Sequence, residues 1–69
     1  MSVYKIIELV GTSENSWEEA ACIAIKTAGK HLRDLRIAEV SKMDIHIDES
    51  GKCLYRTRLN VSFKYHTED

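Results

Sequence analysis

One short segment, MDIHIDES, concentrates the side chains that could bind a metal ion. It carries Asp44, His46, Asp48, Glu49 and Ser50 within seven positions. A hard cation such as calcium takes several oxygen ligands, and copies of this segment around a symmetry axis could supply them from several chains. The spacing does not match an EF-hand loop, and a solvated hairpin tip explains the same residues. The carboxylates of the metal hypothesis are Asp44, Asp48 and Glu49.

A second group of charges lies further along the chain. Arg56, Arg58 and Lys64 have the parity of a single strand face, and Glu39 and Asp44 supply opposite charges from the preceding segment. In one reading, Arg56 and Arg58 form inter-subunit ion pairs with Glu39 or Asp44 of a neighbouring copy. In the other, Arg56 binds an anionic ligand. The nearby carboxylates favour the ion pairs.

The remaining reactive residues form no catalytic pattern. The sequence contains no Gly-rich phosphate loop, no carboxylate pair suited to acid–base chemistry and no metal-ligand motif, so we expect no enzyme activity. Cys22 and Cys53 lack zinc or disulfide spacing, and we expect both to be packed thiols. Trp17 has the helical spacing of a core residue. Three histidines read as surface residues: His31, His46 and His66.

Length and charge limit the possible functions. A chain of 69 residues is one domain, 1–69, which buries only about 60% of its unfolded surface, and this favours self-association. A net charge of −1, from 10 basic and 11 acidic residues, argues against partners such as nucleic acid or an anionic membrane. The first residues resemble neither a leader nor a membrane span, so we expect a cytoplasmic protein.

Periodicity predicts the elements that position these residues. A first strand is expected over residues 3–10, ended by the GTS segment. A capping box follows, in which the Ser16 hydroxyl accepts from the Glu19 N–H and the Glu19 carboxylate reaches back to the Ser16 N–H. Small apolar residues dominate the helical stripe and should let the helix lie close to a sheet. The stripe comprises Trp17, Ala20, Ala21, Ala24, Ile25, Ala28, Leu32 and Leu35.

Two further strands are expected, over residues 36–47 and from Cys53 onwards, joined by a turn at 48–52 with Gly51 available for positive φ. The last strand alternates over more than ten residues, up to Tyr65 and His66, with one face buried and one polar. The apolar parity of the second strand slips near Ser41, which predicts a bulge. Ile37 then points away from the helix. The expected fold is α+β: a β-α-β-β unit with a three-stranded antiparallel sheet wrapped over one helix.

Four segments in this order resemble the dodecins: VYKIIELVGTS, SWEEAA, AEV and VSFKY. The resemblance covers nearly the whole chain and implies a hollow homododecamer whose flavin-binding members hold flavins in pairs at subunit contacts without catalysis. The family's flavin-stacking tryptophan corresponds to Ile37, and its flavin-pairing glutamine corresponds to Arg56. An aliphatic side chain offers no π-face, and a guanidinium has donors but no acceptor. The charged residue of the family pocket in the second strand also differs, with Lys42 and Asp44 at that place in this chain.

We therefore expect a non-catalytic dodecin-like homododecamer that binds or stores small molecules or ions, with ordinary flavin binding weak or lost. In one alternative it is a flavin-storage dodecin that holds its ligand through Arg56 and aliphatic contacts. In the other it is a calcium-binding shell, since calcium is associated with some tryptophan-lacking relatives of this fold. Ile37 is expected to contact a symmetry-related copy.

Overall fold

A computed structural model of the chain describes residues 1–65 and confirms the β-α-β-β architecture. The elements are β1 (Tyr4–Ser13), α1 (Trp17–Gly29), β2 (Leu35–Ile47) and β3 (Cys53–Lys64). The sheet has the order β1-β3-β2, and both strand pairs are antiparallel. β1 runs three residues beyond the expected boundary because Gly11, Thr12 and Ser13 continue the ladder with β3.

The start of α1 is fixed by hydrogen bonds that only partly match a capping box. Ser16 has extended backbone, and its hydroxyl accepts from the Glu19 N–H at 2.9 Å, as expected. The predicted reciprocal bond from the Ser16 N–H to the Glu19 carboxylate is wrong. That carboxylate accepts instead from the Ser13 hydroxyl at 2.9 Å and from the Asn15 amide at 2.6 Å. The Ser16 N–H is instead directed at the Ser13 hydroxyl, at 3.4 Å. The cap therefore also ties the end of β1 to the helix.

The helix ends at Gly29, earlier than the apolar stripe suggested. The backbone N–H groups of His31 and Leu32 both donate to the Ala28 carbonyl, so the last turn closes locally. Asp34 then has a φ of +62°, which reverses the chain direction. Leu35 consequently belongs to β2, from which it packs against the core.

The helix lies unusually close to β1, and three residues without large side chains permit this. A Cβ atom placed on Gly11 would lie 2.0 Å from the Ala20 carbonyl oxygen and 3.0 Å from the Ala24 Cβ. Ala20 is fully buried and Ala24 is nearly so. The expectation that small side chains bring the helix close to the sheet is confirmed.

The core lies between α1 and the inner face of β3. Thr57, Leu59 and Val61 are almost fully buried, which confirms the predicted alternation of this strand. Thr57 satisfies its hydroxyl by donating to the Trp17 backbone oxygen at 2.9 Å. Four larger side chains surround this centre: Ile7, Leu9, Ile25 and Leu35.

β2 contains two register shifts, between Leu35 and Ile37 and between Val40 and Lys42. The second confirms the predicted bulge near Ser41. The first was not expected, and it explains how Leu35 faces the core while Ile37 faces away from it. The helix packs mainly over β1 and β3, so β2 lies beyond its edge. The helix-side row of β2 therefore remains exposed, and it comprises Val40, Met43, Ile45 and Ile47.

Both cysteines are exposed free thiols, so the expectation that they are packed is wrong. Cys22 lies on the helix face opposite the buried alanines, and Cys53 begins β3 near the hairpin tip, beyond the reach of α1. His66 lies outside the described residues. Within residues 1–65, no helix has the length and apolar character needed to cross a membrane.

We predict that Gly11→Ala destabilises the fold by about 3 kcal/mol or more, because backbone atoms of α1 occupy the space that the new methyl group needs. Urea unfolding followed by circular dichroism measures the change. Gly29→Ala is the matched control, since its added Cβ meets only Leu35 Cδ1, at 3.9 Å. Equal stabilities of the two variants would contradict the close-approach account.

Candidate functional site

The sheet face turned away from α1, called the outer face here, carries four cross-strand rows of side chains. Each row has one residue from β1, β3 and β2 in that order. The rows are Ile6–Ser62–Ile37, Glu8–Asn60–Glu39, Val10–Arg58–Lys42 and Thr12–Arg56–Asp44. The outer face therefore changes along the strands from apolar to acidic to basic, and ends on an ion pair.

Ile37 lies in the apolar row and is 68% exposed, which agrees with the orientation expected from the strand parity. Ile6, which is 67% exposed, flanks the same central serine from β1. A shallow groove follows these two side chains and is completed by Glu39, Asn60 and Ser62. The groove offers aliphatic contacts and polar groups, but it contains no aromatic face.

Glu39 has no ion-pair partner among residues 1–65. It faces Asn60, with Glu8 on the opposite side of that amide. The inter-subunit ion pair suggested for Glu39 therefore stays a prediction.

Arg56 forms a bidentate pair with Asp44 of its own chain. The guanidinium Nε lies 2.7 Å from Asp44 Oδ1, and Nη2 lies 2.8 Å from Asp44 Oδ2. The two residues are cross-strand neighbours, so no second copy is needed to neutralise either charge. The hydrogen bond from Arg56 lowers the pKa of Asp44, and the charges of Arg56, Arg58 and Lys42 act in the same direction. The same contact raises the pKa of Arg56.

Asp48 is used to build the hairpin tip. Its Oδ1 atom accepts from the Ser50 N–H at 2.9 Å, the Ser50 hydroxyl at 2.8 Å and the Lys52 N–H at 2.9 Å. These bonds, with the Ser50 hydroxyl contributing most, lower the pKa of Asp48. Gly51 takes the positive φ of the turn, +88°. Glu49 is exposed beside it.

The carboxylates named for a metal site do not come together within one chain. Asp44 has both oxygens on Arg56, whereas Asp48 and Glu49 lie at the hairpin tip. No cluster of three or more His, Cys, Asp or Glu side chains suited to a metal occurs in the part of the chain that the structure describes. Within one chain, Asp44 is thus separate from the hairpin-tip carboxylates Asp48 and Glu49.

Trp17 lies on the helix side of the sheet, away from the outer face. Its ring meets Tyr55 edge to face, with centroids 5.0 Å apart, and its Nε1 donates to the Asp44 backbone oxygen at 3.0 Å. An apolar pocket beside it is lined by Val40 and Met43 of the exposed row. The packing role expected for Trp17 is consistent with these contacts.

The contribution of β1 to the outer face was not anticipated. Ile6 extends the apolar row, and Val10 lies beside Arg58. The signal was present in the sequence, because period-two alternation of β1 places Ile6, Val10 and Thr12 on one face once the inward position of Gly11 is known.

Comparison with known proteins gives a consistent result. A family model described as Dodecin matches residues 3–66. The chain is 48% identical over 64 residues to a calcium dodecin of Mycobacterium tuberculosis, with coverage of 93% of this chain and 90% of the relative. It is 44% identical over 62 residues to a dodecin of Thermus thermophilus, with coverage of 90% of each. A crystal structure of the calcium-chelating M. tuberculosis protein, described with a novel calcium-binding site, superposes with a TM-score of 0.89 at 44% identity, covering 99% of this chain and 97% of the other.

We predict that Asp44 titrates below the usual aspartate pKa of about 3.9 and that Arg56→Gln raises its pKa. Carboxyl-carbon NMR measures both values. Because the folded pKa is the lower one, the pair stabilises the protein above the unfolded pKa, and this contribution is lost as the pH falls through the folded pKa. Arg58→Gln is the control, since Arg58 acts on Asp44 without a hydrogen bond and should raise its pKa less. Equal effects of the two variants would contradict the assignment.

Proposed function

This chain belongs to the dodecin family, and we propose that it forms a hollow homododecamer that binds and stores small ligands or ions. Dodecins are known as non-enzymatic binding proteins, which supports a role without catalysis. A cytoplasmic location fits the same proposal. The chain has exposed apolar side chains and shallow grooves on both sheet faces.

Self-association is supported by the exposed apolar residues of β2. The helix-side row is uncovered because α1 does not extend over β2, and Ile37 is uncovered on the outer face. β1 and β2 are also both edge strands of an open sheet. Uncovered apolar patches mark interaction sites such as protein–protein contacts, and free strand edges can pair with a strand of another chain. A neighbouring copy that covers Ile37 and the helix-side row would bury both.

Weak binding of ordinary flavins is the more specific part of the proposal, and the Arg56–Asp44 pair carries it. By family resemblance, Arg56 stands where a glutamine pairs with the flavin. Its guanidinium is already bound in bidentate fashion to Asp44, and arginine supplies no hydrogen-bond acceptor. Ile37, at the stacking position, adds only aliphatic contact. Losing the aromatic face removes about 0.5–1.5 kcal/mol of stacking beyond area burial.

A calcium-binding shell is a second candidate, and the relative described as a calcium dodecin favours it. The donor set of this chain fits such an ion only in part. Asp44 is a poor ligand because Arg56 holds both its oxygens. Asp48 keeps one carboxylate oxygen outside the turn, and Glu49 is exposed beside it. Hairpin tips of several copies would have to meet to supply the oxygen ligands that calcium requires.

We predict that the purified protein is colourless and does not quench riboflavin fluorescence at micromolar concentration, because no ring covers the isoalloxazine. The double variant Ile37→Trp/Arg56→Gln should gain binding and quench the fluorescence. Ile47→Trp/Arg56→Gln is the matched control, since Ile47 is similarly exposed, at 66%, but lies on the helix side. Light scattering on each sample verifies the mass of a dodecamer. A yellow wild-type complex that quenches riboflavin fluorescence would contradict the flavin part of the proposal.

If the second candidate is correct, calcium chloride should raise the melting temperature more than magnesium chloride of equal concentration, because the folded assembly alone presents the site. The shift should disappear in Asp48→Asn/Glu49→Gln and persist in Asp44→Asn. The Asp48→Asn change keeps an oxygen acceptor for the turn, so folding should be retained. Absence of both a calorimetric signal and a melting shift would remove calcium as a ligand.

A further inference from the structure

The basic row of the outer face carries two cations and no carboxylate. Lys42 of β2 and Arg58 of β3 are directly opposite each other in the ladder. Directly opposed side chains lie about 5 Å apart at their Cβ atoms, and like charges in this arrangement are destabilising. Among residues 1–65, neither cation forms an ion pair.

The carboxylate of the Arg56 row is already paired. Asp44, in the next row, lies close enough for both Lys42 and Arg58 to lower its pKa, but Arg56 occupies both its oxygens. Lys42, Arg56 and Arg58 thus surround one carboxylate. Glu8 and Glu39, in the acidic row on the other side, form no ion pair with Lys42 or Arg58 among residues 1–65.

The arrangement of this row is defined by the backbone. The bulge takes Ser41 out of the ladder register, and Lys42 reaches the outer face because of it. The Ser41 hydroxyl donates to the Arg58 backbone oxygen at 3.3 Å, which ties the bulge to the strand that carries the second cation. Bulges often re-aim a side chain beside a functional site.

A small hollow lies among these charges. Its lining comprises Val10, Lys42, Asp44, Arg56 and Arg58, and its volume is about 10 Å³. This volume accommodates one water-sized group, such as a single ligand oxygen. Arginine suits the several oxygens of a phosphate group through its planar donors, and lysine adds a compact point charge.

We infer that Lys42 and Arg58 form a binding site for a phosphate group, either inorganic phosphate or the phosphate of a small organic molecule. One phosphate oxygen would enter the hollow, and the others would contact the two cations at its rim. The site lies between the flavin positions Ile37 and Arg56 on the outer face and shares Arg56 in its lining, but its binding groups are Lys42 and Arg58. It does not use the hairpin-tip carboxylates. The inference deepens the proposed function by naming a ligand class, and it rests on that function only in requiring a binding protein.

The test is isothermal titration of the assembled protein with inorganic phosphate, adenosine monophosphate and adenosine, at ionic strength held constant with sodium chloride. Phosphate and the monophosphate should bind, and adenosine should not. The double variant Lys42→Gln/Arg58→Gln should weaken binding at least about tenfold, since a charge-assisted hydrogen bond contributes roughly 1.5–3 kcal/mol. Lys26→Gln/Lys30→Gln, with the same change in net charge in and just after the helix, should bind as the wild type does.

A phosphate-free readout separates loss of binding from loss of folding. Lys42→Gln relieves the repulsion within the row, so its melting temperature without phosphate should equal or exceed that of the wild type. Tighter binding of the monophosphate than of phosphate would identify an organic phosphate as the ligand, whereas equal binding would identify the phosphate group alone.

Two results would overturn the inference: no binding by the wild type, or equal weakening in both double variants. The first result would indicate that carboxylates of a neighbouring copy neutralise the row. Failure here leaves the flavin and mass measurements unaffected, so the proposed function is judged separately.

Discussion

The close contact between α1 and β1 at Gly11 is the constraint on which the rest of the molecule depends. The helix backbone fills the space of the missing side chain, and the buried alanines extend the contact along the helix. A helix held this close to β1 covers β1 and β3 and leaves β2 beyond its edge. The exposed helix-side row of β2 follows from this placement.

Much of the fold could be predicted from periodicity, because the two-residue alternation of β3 and the small-residue stripe of α1 are direct consequences of burial. The bulge at Ser41 was also predictable, since the apolar parity changes there. The helix end was not, because Leu35 has helical spacing from Leu32 although the chain reverses at Asp34 between them. Parity alone also gave no sign that α1 stops short of β2. Exposure of Cys53 depended on that same packing geometry, whereas Cys22 is exposed because it lies on the helix face opposite the buried alanines.

The candidate site was predictable in its residues but not in its pairings. Parity placed Ile37, Glu39 and Arg56 on a common face, and they do share it. The carboxylate that pairs with Arg56 depends on the cross-strand register. That register could not be predicted from the sequence because β2 contains two register shifts, of which only the one near Ser41 was expected. The register aligns Asp44 with Arg56 and leaves Lys42 opposite Arg58. The ion pair of Asp44 with Arg56 and the two cations Lys42 and Arg58, which are unpaired within residues 1–65, thus lie in neighbouring rows of the outer face.

The bulge at Ser41 divides β2 into two halves with opposite alternation of inward and outward residues. Before it, odd-numbered residues such as Ile37 and Glu39 face outward, and after it, even-numbered residues such as Lys42 do so. Deleting Ser41 would remove the bulge and give β2 one continuous alternation at this point, while every remaining side chain would stay on its present face. Inserting one residue into either half would instead invert that half and exchange its charged and apolar faces. The tolerance of this strand to length changes is therefore set by where the change occurs, more than by which residue is added or removed.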